Sequence, residues 1–225
     1  MRHYIVVRFN LPWKKESDSD SWILNRIRLF NAYLLNTLGR QKNKNFVLDL
    51  CINKNTSDKF LSKLKQDLDN KNLNYRFLKF GSMKDFKDNL SINYKVGDIL
   101  TRIDSDDIVS SDYVESIQSF YKKNKGKGIC YDYLNIGYLD VVSKDWVTAV
   151  YKATSMFLTI EFNGKHTPYS CSHDLIRKLG FSVYKDGAKN VCCVCHGTNL
   201  ANDLVRAKKR FSYDKSIDYY SWLKG

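Results

Sequence analysis

Asp98-Ile99-Leu100-Thr101-Arg102-Ile103-Asp104-Ser105-Asp106-Asp107 is a short apolar run that ends in three carboxylates within four positions. Ser110-Ser111-Asp112 follow as a helix-start signal. On an extended strand end, residues two apart point the same way, so Asp104 and Asp106 can reach one point in space. Two carboxylates at one point need a cation, or one of them must stay protonated. Oxygen ligands at a strand-to-loop junction suit Mg²⁺ or Mn²⁺, shared with the phosphates of a bound substrate.

Other readings start from the same residues. Acidic runs are common in surface loops, and an isolated Asp-x-Asp is weak as a motif. A calcium loop fits poorly: counted from Asp104, Glu115 takes the twelfth position, but Ile108 and Val109 stand at the fifth and sixth, where a ligand and a glycine are needed. A phosphatase or nucleotidyl enzyme using Asp104 as nucleophile or metal ligand stays open.

Upstream of this stretch, strand and helix alternate. Tyr4 to Phe9 is β-branched and aromatic enough for a buried first strand. From Ser21, the residues Ile23, Ile27, Phe30, Leu34 and Leu38 predict one helix, closed by Gly39. Phe46–Ile52 reads as a second strand, and Ser57 opens a helix with Phe60, Leu61, Leu64 and Leu68 on one face. Tyr75–Phe80 is a third strand, Met83–Leu90 a short helix, and the fourth strand ends at Asp104. The pattern predicts a largely parallel, Rossmann-like α/β sheet with helices on both faces. Ligands bind such sheets beyond the carboxyl ends of the strands, where Arg8, Asn53 and Asp104 fall.

Downstream the pattern is less regular. A helix over 111–121 is followed by strand candidates at Gly128–Tyr133, Tyr138–Val142 and Phe157–Ile160. His173–Gly180 reads as a short helix, and Val191–Val194 as a strand ending in His196-Gly197-Thr198-Asn199. The tail is basic at Lys208-Lys209-Arg210 and aromatic at Tyr219-Tyr220-Ser221-Trp222.

Composition narrows the function classes. At 225 residues and 43% hydrophobic, the chain can fill one domain, or one domain with a small appendage. No run approaches the roughly 18 apolar residues of a membrane span. Met1 to Val7 passes straight into strand-like sequence without the apolar core of a signal peptide, which predicts a cytoplasmic protein. Cys192, Cys193 and Cys195 crowd one strand, where neighbours face opposite ways, so core thiols fit better than a zinc cage. The net charge of +13 invites a nucleic-acid partner, but the lysines are dispersed and no binding signature accompanies them. Phosphate-bearing substrates, or peripheral contact with an anionic membrane surface, suit that charge better. A non-catalytic basic binding protein is the remaining alternative class.

Several short segments occur in an order that resembles a known family. Arg8-Phe9-Asn10, Trp22 with Arg26 and Leu29-Phe30, Gln41 and Phe46, Thr101 to Asp107, and His196 to Asn199 resemble the putative rhamnosyltransferase family, over nearly the whole chain to Asn202. The resemblance implies a GT-A fold: a mixed, mostly parallel sheet flanked by helices, with a more irregular C-terminal half. It implies a single domain over 1–225, with a nucleotide-binding half at 1–107, an acceptor half at 108–202 and a basic, aromatic tail at 203–225. Two departures stand out. Asn53 occupies a strand end where such proteins commonly have an aspartate near the nucleobase, and the segment 143–170 matches only loosely.

The implied activity is metal-dependent sugar transfer, by an inverting route, from a UDP- or dTDP-linked donor to a glycan or other hydroxyl acceptor. Rhamnose is the sugar that the family name suggests. Asp104, Asp106 and His196 would hold Mn²⁺ or Mg²⁺. Arg8, Asn53, Arg102, Asp104 and Ser105 would bind the donor, the arginines gripping phosphate oxygens in pairs. Asp174 would accept the acceptor's proton, with Glu161 as its rival and His173 orienting it or standing in for it.

Overall fold

A computed structural model describes residues 1–12, 19–197 and 204–224. In chain order the elements are β1 (His3–Asn10), α1 (Asp20–Ala32), α2 (Leu34–Leu38), β2 (Val47–Asn53), α3 (Asp58–Asn70), β3 (Tyr75–Phe80), α4 (Met83–Asn89) and β4 (Ile99–Asp104). Then follow β5 (Ile108–Val109), α5 (Tyr113–Asn124), β6 (Ile129–Tyr133), β7 (Asn135–Asp140), β8 (Asp145–Val150), β9 (Thr159–Glu161), β10 (Ser182–Asp186), β11 (Val191–Cys195), α6 (Leu204–Arg210) and β12 (Tyr213–Asp214).

Two sheets result. The first has seven strands in the order β10-β6-β9-β4-β1-β2-β3, with β1 to β4 parallel and β9 antiparallel to both its neighbours. Its central strands are buried on both faces, which is why they read as near-continuous apolar runs. Ile5, Val7, Leu48 and Leu50 pack on one side with α1, α3 and α5 residues. Tyr4, Val6, Leu100 and Cys51 pack on the other with Phe86, Ile160 and Tyr169. Under that second face Asp49 is fully buried, gripped in two places by Arg76 (2.8 and 2.6 Å) and by the Tyr94 hydroxyl (3.0 Å).

The second half is more ordered than its sequence suggests. It builds a five-stranded sheet, β12-β8-β7-β11-β5, in which β5 and β11 run antiparallel. The aromatic tail seals it: Tyr219 is fully buried and its hydroxyl meets Thr148 Oγ1 at 2.9 Å. Gly137 makes the room, since a Cβ there would stand 2.4 Å from the Tyr219 ring. The helix expected from Ser21 to Gly39 is broken at Tyr33, whose φ and ψ of −115° and −84° leave the helical region. Five of the six cysteines are buried in these cores, and Cys171 is half-buried.

Candidate active site

Arg8 and Asp104 are register partners on neighbouring parallel strands, so their side chains share one face of the sheet. Arg8 Nη2 lies 3.3 Å from Asp104 Oδ1. β4 stops at Asp104, and Ser105 and Asp106 form a turn in which Asp107 N–H donates to Asp104 O at 3.3 Å. The turn ends the strand alternation, so the two carboxylates of the Asp-x-Asp take different neighbours. Asp106 Oδ2 lies 3.3 Å from Arg26 Nη1 on α1 and 2.8 Å from His196 Nε2 just beyond β11. Among the described residues, no three His, Cys, Asp or Glu side chains converge as a metal cage. Asp106 meets His196 while Asp104 pairs with Arg8, and Arg26 lies within electrostatic reach of both carboxylates.

Aromatic side chains hold these groups in place. Arg26 lies over the Trp22 ring at 5.2 Å, and Tyr33, at the helix break, stacks on His196 with ring planes 9° apart. Gly197 follows His196 at φ +81°, a backbone conformation that favours glycine. Thr198 and Asn199 lie outside the described residues.

The electrostatics separate the three aspartates. Burial pushes the Asp104 carboxyl up, but the Arg8 and Arg102 guanidiniums outweigh it and hold the group below the ordinary carboxylate range. Asp107 goes the other way: complete burial, then the neighbouring Asp106 and Asp104 charges, push it well up. It ties the turn to β11, its Oδ1 accepting from Val194 N–H at 3.3 Å.

Of the expected donor residues, Arg102 sits two positions before Asp104 on the same face, its Cζ 4.9 Å from the Tyr169 ring centre. Among the described residues, its Nε and the Ser105 Oγ are both buried without a hydrogen-bond partner. Asn53 shapes the turn after β2: its Oδ1 accepts from Asn55 N–H at 3.0 Å, and its own N–H donates to Asn10 Oδ1 at 3.3 Å.

The acceptor-side residues separate. Asp174 is exposed on the 3₁₀ turn His173–Leu179, where a hydrogen bond with the Ser172 side chain holds its carboxyl below the usual range. Nearby Cys171 lies within electrostatic reach of both Asp174 and Arg102. His173 Nδ1 donates to Thr154 O at 2.6 Å, which fixes its ring. Glu161 is elsewhere: it pairs with Ile99 at the opposite end of β4, roughly 17 Å along the strand from Asp104. Its Oε2 accepts from Gly126 N–H at 2.6 Å.

Arg26, Tyr33 and Tyr169 belong to this cluster and were assigned no role from sequence. Trp22 and Arg26 did stand among the ordered motif residues. Nothing local marked Tyr33 or Tyr169, because their partners are distant in the chain.

Comparison with known proteins adds family and fold. UDP-bound TarS 1–349 of S. aureus is similar at 13% identity and a TM-score of 0.52, over 87% of this chain and 61% of that one. GalNAc-T7 with UDP, GalNAc and Mn²⁺ is similar at 11% identity and 0.55, over 90% and 45%. The Pyrobaculum calidifontis mannosyltransferase PcManGT, with GDP-Man and Mn²⁺, is similar at 8% identity and 0.54, over 89% and 58%. The chain thus spans less than two-thirds of each of these structures. No curated protein matches it in sequence. No helix among the described residues is long and apolar enough to cross a membrane. The two sheets and their flanking helices are those of the GT-A glycosyltransferases, and with residues 15–207 matching the family described as putative rhamnosyl transferase, the chain belongs to that family.

Proposed function

We propose that this protein moves a sugar, rhamnose by its family's description, from a nucleoside-diphosphate sugar to a hydroxyl acceptor such as a glycan. The observation that carries the reading is the Asp104–Asp107 turn at the strand ends, with His196 delivered to Asp106 from β11. Two part-exposed carboxylates and an imidazole nitrogen are a donor set that suits Mn²⁺ or Mg²⁺. Each carboxylate is already matched by a guanidinium, so the turn is built to face positive charge. A bound divalent ion would supply Lewis-acid stabilisation of the departing diphosphate.

The chain's own residues would do the rest. Arg8 and Arg102 would grip the diphosphate, with the half at 1–107 holding the nucleotide and the half at 108–202 facing the acceptor. The tail at 203–225 would brace the second sheet. Asp174, with His173 fixed beside it, would take the acceptor's proton on the face away from the leaving group, giving inversion. Glu161, at the wrong end of β4, would have no part in the chemistry. The surplus of basic residues suits an anionic acceptor or a membrane surface bearing one.

A thermal-shift panel of UDP, dTDP and GDP, each with and without Mn²⁺, tests the reading. A ligand at a hundred times its Kd stabilises the fold by about 2.7 kcal/mol through mass action. If no nucleoside diphosphate raises the unfolding midpoint under either condition, the proposal fails.

A further inference from the structure

The loop after β9 sends Tyr169 back under the strand ends. Its hydroxyl donates to Val6 O on β1 at 2.9 Å and lies 3.5 Å from Ile103 O on β4. Phe86 closes on the ring at 5.2 Å between centres, in an edge contact. The ring is thus pinned to the two strands that carry Arg8 and Arg102, and both guanidiniums lie against it. Arg8 Cζ is 5.3 Å and Arg102 Cζ 4.9 Å from its centre.

This arrangement is costly unless it meets an anion. Two guanidiniums repel each other, and Asp104 is the carboxylate that the described residues set against them. Arg102 is only 8% exposed, and its Nε has no hydrogen-bond partner among the described residues. A buried donor left unpaired is destabilising, and a buried charge more so. Ser105 Oγ, in the turn that follows, is also buried with no hydrogen-bond partner among the described residues. Arg102, lying against the ring, carries the planar fork that matches phosphate oxygens, and its Nε is the buried donor that such an oxygen would pair.

We infer that Tyr169 is a positioning residue whose ring holds Arg8 and Arg102 side by side as a diphosphate clamp, able to bind without the divalent ion. The inference rests on the donor-site reading above and assigns the clamp's geometry to a residue outside the Asp-x-Asp turn. The ring face offsets the repulsion between the two cations. The hydroxyl anchors the ring to β1 and β4 and lies within hydrogen-bond reach of Arg8.

The test is calorimetric titration of inorganic pyrophosphate and UDP in EDTA, with wild type, Tyr169→Phe, Tyr169→Leu, Arg102→Gln and the Tyr169→Leu/Arg102→Gln double variant. Unfolding midpoints are measured alongside. Tyr169→Phe keeps the ring and should bind within about threefold of wild type, whereas Tyr169→Leu should bind about tenfold more weakly, the scale of a desolvated cation–π contact. The double variant should be no weaker than the worse single, because the ring acts through the arginine. Wild-type-like binding by Tyr169→Leu overturns the inference, as do equal losses in Phe and Leu or penalties that multiply in the double variant. Wild-type binding that requires Mn²⁺ overturns the clamp and leaves the donor-site reading standing. Binding of neither ligand with or without Mn²⁺ overturns both.

Discussion

His196 Nε2 lies 2.8 Å from Asp106 Oδ2, across 90 residues of chain. The contact follows from the pairing of β5 with β11, which draws the end of the late strand beside the Asp-x-Asp turn. Arg26 approaches the same carboxylate oxygen from α1, so Asp106 is held from two sides. Any cation binding there must share or displace these partners.

Asp104→Ala and Asp106→Ala should each abolish Mn²⁺-dependent binding of a nucleoside diphosphate. The loss should be at least the roughly hundredfold that even outer-shell changes at metal sites can reach. Asp104→Ala also strips Arg8 and Arg102 of their carboxylate, so its unfolding midpoint should fall, and binding is compared at a temperature where every variant is folded. Wild-type titration curves for both variants would sink the metal assignment.

For His196→Ala, Mn²⁺ affinity should fall about tenfold or more, while pyrophosphate binding in EDTA is retained. An unchanged Mn²⁺ titration would leave His196 as a tie between β11 and the turn, with no place beside the ion.

Asp174→Asn should keep donor affinity and lower turnover by about a hundredfold or more, the effect of losing a general base. Glu161→Gln should leave turnover unchanged, since that carboxylate sits opposite Ile99 and is spent on Gly126. Product stereochemistry read by NMR checks the route, and retention of configuration would contradict a single-base inversion.

Arg76→Met isolates the buried Asp49 carboxylate. Removing one partner of a buried pair costs about 3–5 kcal/mol, because the remaining charge is uncompensated. Denaturant titration should show that loss, and Asp49→Leu added to Arg76→Met should recover part of it. A loss under about 1 kcal/mol would mean that Asp49 is protonated at no great cost.

His3 should give stability a pH dependence. It is buried between Thr101 Oγ1 (2.7 Å) and Gln118 Nε2 (3.4 Å), and burial lowers its pKa from 6.5 to about 3. The unfolded chain takes up a proton that the folded chain refuses, so stability is full above pH 6.5 and declines as pH falls towards 3. His3→Gln should flatten the curve in that window. An identical pH profile for the variant would remove His3 as its source.

How far the sequence could be read depended on how local each signal was. Tyr75–Phe80 matched its strand to the residue, because its aromatic-rich run is bounded by the turn residues Asn74 and Gly81. β5 went unseen because two residues, Ile108 and Val109, show no periodicity and are ordered only by β11. β8 was missed as well: Trp146 to Val150 becomes a strand through pairing with β7. The site divided in the same way. Asp104 and Asp106 were legible from spacing, but the turn after β4 sent them to different partners, which alternation along a strand does not foresee. Tyr169 carried no local mark at all, since its partners sit 66 or more residues earlier.

The β5–β11 pairing also sets an order of events on the ribosome. Ile108 and Val109 find their strand partner only in Val191 and Cys192, and Asp106 finds His196 just after them. At about 5–20 residues per second, the 90 residues between Asp106 and His196 take roughly five to twenty seconds to synthesise. Through that interval a nascent chain carries the acidic turn without the strand that braces it, so donor binding cannot template the early stages of folding. If the site binds a nucleotide as proposed, it becomes competent only once β11 has paired with β5 and β7.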